Sequence, residues 1–260
     1  MTLDQIILLA STVLFAGHFM VVLRTVRADR PWDTKRGLLV VGIGCAVQLL
    51  LLWYRGEAHG RCPITNSGEV LVFLAWSMVV WYLLFGSSYR LSLLGMCTMP
   101  LVVLLQGVAL VPGVYQPLPE ERVETVNAVV ELHAATAILG YGAFGLAAVA
   151  SGMFVFQNWH LKRRRTSKAV FALPPITRLF DALIRLVTIG VVLLGASLSV
   201  SLLAMEQAGG VKAAIGWLVL GAFAILLVLR KVFHLSQKNV AWVVLLVFSL
   251  AAGTIGFMTS

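Results

Sequence analysis

The chain has 260 residues, 60% of them hydrophobic and only 12% charged, with a mean hydropathy of +0.93. That composition excludes a water-soluble globular domain and leaves no room between apolar runs for a soluble catalytic one. The formal net charge of +9 therefore asks for a topological explanation before a functional one.

A transmembrane helix needs about 20 predominantly apolar residues. Runs of that order fit at Ile6–Leu23, Gly37–Tyr54, Val70–Phe85, Leu91–Val111, Leu132–Trp159, Leu186–Met205, Ala213–Leu229 and Val240–Met258. They predict an all-α integral membrane protein with eight transmembrane helices, folded as one membrane domain over residues 1–260. The first run is read as a retained helix rather than a cleavable signal peptide, because Asp4 stands where a basic n-region belongs.

Basic residues alternate between loops. Arg24, Arg27, Arg30, Lys35 and Arg36, then Arg90, then Lys162 to Arg165 with Lys168, Arg178 and Arg185, then Arg230, Lys231 and Lys238 fall on one side. Of the 20 Lys and Arg, only Arg55, Arg61, Arg122 and Lys212 fall on the other, where most acids also lie. The positive-inside rule makes the basic side cytoplasmic and puts both termini outside. Topology and anionic lipid then account for the Lys162–Arg165 tract, so the bilayer is the expected partner and nucleic acid is not.

Several local signals follow along the chain. Asn66-Ser67-Gly68-Glu69 reads as a capping box opening the third span, with Asn66 as cap and Glu69 reaching back. Arg55 counts among the charges of the preceding exterior loop, and His59 reads as a solvated residue of it. Pro112, Pro117 and Pro119 break the next exterior segment, after which Glu120–Glu131 has the pattern of a short surface helix. Gly140, Gly142, Gly145, Ala148 and Gly152 give the fifth span a smooth face for another helix or a flat macrocycle, helix packing being the commoner use. Pro174-Pro175 precedes Ile176, Leu179, Phe180, Leu183 and Ile184 at helical spacing, which suits a separate interfacial helix on the inner leaflet. Three cysteines are too few for a disulfide framework.

Histidine beside a span is a potential haem ligand or proton relay. His133 opens the fifth span on the outer side, with Tyr141 eight residues on along nearly the same face, and His18 lies within the first span. His160 and His234 sit among basic loop residues. Each membrane histidine can equally serve as a helix–helix hydrogen-bonding residue.

The run Cys62-Pro63-Ile64-Thr65-Asn66-Ser67-Gly68-Glu69 through Phe73-Leu74-Ala75-Trp76-Ser77 resembles the segment that opens a core helix in cytochrome c assembly proteins of the CcsA/HemX type. His133-Ala134-Ala135 through Leu139-Gly140-Tyr141-Gly142-Ala143-Phe144 resembles the helix bearing that family's exterior haem-ligand histidine. The basic exit from that helix, the Leu173-Pro174-Pro175 segment and the span pattern extend the resemblance from about residue 5 to 258 and place the chain nearest the HemX-like branch. The tryptophan-rich exterior motif of haem-presenting members is missing: Met205 to Lys212 stands there, and only Lys212 matches. Tyr82 and Val228 occupy places where such members carry histidine, so His133 alone of the family's four histidines is matched.

The resemblance implies a bacterial plasma (inner) membrane protein that handles haem non-enzymatically in cytochrome c assembly or haem delivery. His133 would be the exterior ligand to haem iron, Tyr82 or His18 the candidate for a membrane-embedded position, and Trp76, Tyr141 and Phe144 apolar haem contacts. The alternative is a regulatory or interaction protein that binds no haem and engages an assembly partner or a haem-synthesis enzyme through Lys162–Arg185. A transporter of another small molecule is weaker, since apart from Pro100 no span is plainly interrupted.

Overall fold

The computed structural model describes residues 2–28, 34–89, 94–115, 127–162, 175–204 and 211–259. Among them are eight helices and no strand: α1 (Leu3–Arg27), α2 (Thr34–His59), α3 (Ser67–Tyr89), α4 (Leu94–Ala109), α5 (Ala128–Lys162), α6 (Ile176–Ala204), α7 (Val211–Phe233) and α8 (Gln237–Thr259). α1, α2, α3, α5, α6 and α7 are long and apolar enough to cross a bilayer, making this a multi-pass membrane protein. α4 has 16 residues, about 24 Å of helix against a hydrocarbon core of about 30 Å.

Helix starts follow the local chemistry. Thr2 and Gln5 form a capping box at α1, and Arg24 and Arg27 face its negative end. Asn66 Oδ1 accepts the Glu69 N–H at 3.0 Å, and Asn127 Oδ1 accepts the Val129 N–H at 3.0 Å, so asparagine starts both α3 and α5. Pro100 lies inside α4 without ending it, as proteins in bilayers tolerate.

The chain forms two compact units, Met1–Val126 and Asn127–Ser260. In the first, α1 packs on α2 and α4, and α3 packs on the same two; in the second, α5 packs on α6 and α8, and α7 on the same two. Each unit is thus a ring of four helices in chain order, the arrangement short connections between consecutive helices produce. Large apolar residues such as Trp53, Leu203, Leu218 and Phe233 are exposed, as a lipid-facing surface requires.

Two expectations are corrected. No separate interfacial helix begins at Ile176: that stretch is the start of continuous α6. Leu179, Leu183, Leu186, Gly190, Leu194, Ser197 and Ser201 recur at helical spacing and are buried, and no glycine or proline interrupts the face at Arg185. Phe180 meets Phe154 of α5 at 5.5 Å between ring centroids, with the Arg230 guanidinium of α7 at 5.0 Å. Arg55 and His59 are not loop residues but belong to α2, and both are buried, so His59 is not solvated. Most of the proposed Glu120–Glu131 surface helix lies outside the described residues, as do Arg163–Arg165 and Lys168; Ala128–Glu131 belongs to α5.

Candidate functional site

Arg55 is the largest fully buried side chain of the chain's described residues. A buried guanidinium must be paired, and the first unit brings two carboxylates to it. Nη1 pairs with Asp4 of α1, and Nε donates to Glu69 Oε1 of α3 at 2.5 Å. The same Oε1 lies 2.8 Å from His59 Nε2, while Oε2 accepts the Thr65 N–H and hydroxyl, each at 2.7 Å. Glu69 therefore reaches back to Thr65, as the capping box anticipates in outline, but its carboxylate also joins α2 to α3.

Tyr115 closes the cluster, with the Arg55 Cζ 4.2 Å from its ring centroid. Burial pushes the Tyr115 phenol above its ordinary value, against the pull of Arg55, so a neutral ring meets the cation. Gly68 allows this approach. Its N–H donates to the Val114 carbonyl at 3.0 Å, and a Cβ there would stand 2.7 Å from Tyr115 Cα. The sequence signal for the cluster was an arginine directly after an apolar run, which counting loop charges disguises.

The second unit positions His133. It lies near the start of α5, half-buried, opposite the buried Ser197 of α6. Its Nδ1 is 2.8 Å from the Ser197 carbonyl and 2.9 Å from Ser197 Oγ, and Oγ donates to the His133 carbonyl at 2.8 Å. The Ser197 carbonyl can only accept, and its hydroxyl proton is committed, so Nδ1 must carry the ring proton. In the neutral imidazole the lone pair is then on Nε2, the arrangement in which a backbone carbonyl orients a histidine to bind metal.

Helix packing fixes that pairing. Seven residues on in α5 and seven back in α6, a Cβ at Gly140 would meet the Leu194 nitrogen at 3.2 Å and the Gly190 carbonyl at 3.3 Å. The backbones thus close tightly two turns from His133, and the glycine face serves helix approach there. Among the described residues no group of three or more His, Cys, Asp or Glu could hold a metal ion. A lone histidine suits a metal that brings its other ligands with it, as haem iron does.

The remaining sequence candidates divide between the units. Tyr141 and Phe144 share α5 with His133, their rings 6.3 Å apart and edge-on. Phe144 is stacked on Phe223 at 4.0 Å and lies close over Gly190. In the first unit His18 is buried on α1, Trp76 lies beside Cys45 and 5.6 Å from Phe73, and the buried Tyr82 phenol covers Gly95 of α4. His160 bonds its own helix through the Phe156 carbonyl at 3.0 Å, and His234 is exposed in the α7–α8 link. Met205 to Gly210 lie outside the described residues.

Comparison with known proteins agrees with the sequence resemblance. The family described as Cytochrome C assembly protein matches residues 64–258. The chain is 28% identical over 236 residues to Protein HemX of Brevibacillus brevis, covering 86% of this chain and 84% of that protein. It is 27% identical over 145 residues to Protein HemX of Bacillus subtilis (strain 168), covering 56% of this chain and 52% of that one. Over 134 residues it is 28% identical to Cytochrome c biogenesis protein CcsA of Chlamydomonas reinhardtii, covering 48% and 36%.

Proposed function

We propose that this chain, which belongs to the cytochrome c assembly protein family and so has a role in cytochrome c biogenesis, handles haem as cargo within the membrane without catalysing a reaction on it. The observation that carries this reading is the His133–Ser197 pair, which commits the Nδ1–H to hydrogen bonding and leaves the lone pair on Nε2. His133 would hold the haem iron through Nε2, Ser197 would set the plane of the imidazole, and Tyr141 would offer an apolar neighbour two turns along α5. The proposed topology is eight spans in a bacterial plasma membrane with both termini outside, which puts His133 at the outer rim.

A second reading, an interaction protein that binds no haem, is favoured by the sequence Met205 to Lys212, which lacks the tryptophans of haem-presenting members. An absorption spectrum of the purified protein after haem-replete expression separates the two. Haem handling gives a Soret band that His133→Ala shifts or abolishes at unchanged protein abundance. A colourless wild type supports the interaction reading, and a band indifferent to His133 removes His133 as the ligand.

A further inference from the structure

The interior of the first unit carries polar groups that the ion cluster does not use. Asp4 of α1 pairs with Arg55 of α2, which sets the two helices at a common level. Seven residues inward on each, about 10 Å along the axis, stand Ser11 and Gln48. Gln106 of α4 joins them, its Nε2 donating to Ser11 Oγ at 3.1 Å, while Ser11 Oγ donates to the Leu8 carbonyl at 3.0 Å. Ser11 and Gln106 thus meet in one layer, helical register puts Gln48 of α2 at the same level, and all three are fully buried.

Hydrogen bonding in that layer is incomplete. Among the described residues, neither Gln48 Nε2 nor Gln48 Oε1 has a partner, and Gln106 Oε1 has none either. Exchanging the nitrogen and oxygen of either amide does not help, since Gln48 is unpartnered at both atoms and Gln106 at one. Leu8 and Leu51, both fully buried, lie on the same helical faces between this layer and the ion cluster, so no charged group reaches it from that side. Buried amide atoms in a membrane protein do not stay without partners.

We propose that Ser11, Gln48 and Gln106 form a binding site for ordered water inside the four-helix unit. Water is the ligand class that fits: it donates to Gln48 Oε1 and Gln106 Oε1 and accepts from Gln48 Nε2, within the usual count of partners for buried water. Occupied, the site continues the Gln106–Ser11 bond to Gln48 and ties α4, α1 and α2 together one layer inward from the ion cluster.

Hydroxyl-radical footprinting by X-ray radiolysis of the full chain in nanodiscs tests this, because bound water generates radicals where it sits. Leu8 and Leu51 are expected to oxidise about fivefold faster than Leu146 of the second unit, an equally buried leucine, because radicals form at the bound water. In Gln48→Leu the excess disappears and Tm stays level or falls. Oxidation of Leu8 and Leu51 at the Leu146 rate in the wild type, which needs no variant to fold, overturns the proposal. So does a rise in Tm on Gln48→Leu, the behaviour of an amide buried dry.

Discussion

Glu69→Gln is the perturbation whose size the structure changes most. If Asn66-Ser67-Gly68-Glu69 only starts a helix, glutamine at the third position is nearly as good as glutamate, and Asn66→Ala is the worse substitution. In the folded protein Glu69 accepts from Arg55 and His59 on one oxygen and twice from Thr65 on the other. A glutamine turns one of those oxygens into an NH2, which faces either the Thr65 N–H or the Arg55 Nε–H, donor against donor in a buried place. Removing one partner of a buried ion pair costs about 3–5 kcal/mol. Arg55 keeps Asp4, so the lower end, about 3 kcal/mol, is expected. Asn66→Ala loses one cap bond and costs about 0.5–2 kcal/mol. Reversible unfolding in mixed detergent micelles, or Tm of the purified variants, ranks the two. Glu69→Gln milder than or equal to Asn66→Ala would refute the view that this carboxylate joins α2 to α3.

Within the same cluster, Asp4→Asn is expected to be milder than Arg55→Met, which strands Asp4 and leaves Glu69 only His59 and Thr65, and should cost about 3–5 kcal/mol in the same unfolding assay. Gly190→Ala places a Cβ 2.4 Å from Phe144 Cε1, and that ring is already stacked on Phe223; about 1–3 kcal/mol of destabilisation follows. Gly42→Ala, with nothing within 4 Å of the new Cβ, should instead leave Tm unchanged or raised. A reporter active only in the cytoplasm should work when fused after Arg165 and fail after Ser260, and the reverse pattern would invert every side assigned above.

Hydropathy made the helices legible because lipid asks only for apolar length, and the Asn66 cap and the glycine seam of α5 were legible because both are local patterns. His133 could be singled out by its place at the head of a span. Its partner could not: Ser197 is 64 residues away, and only the register set where Gly140 meets α6 brings them together. The Arg55 cluster was hidden for a related reason. A charge at the end of an apolar run scores as loop, and Asp4, which pairs with it, is 51 residues distant. The continuity of α6 was missed because an amphipathic first turn after two prolines looks the same whether it lies on the bilayer or feeds a buried seam.

The claim that His133 holds haem through Nε2 is tested most directly by the absorption spectrum of His133→Gly, purified with and without imidazole. Glycine opens the ligand position but leaves the Ser197 carbonyl and hydroxyl in place, so they can orient a free imidazole in the same plane. The account predicts a wild-type Soret band, its loss or shift in His133→Gly, and its recovery as imidazole is added. A His133→Gly protein that keeps the wild-type band without imidazole, or a wild type with no band at all, would contradict it.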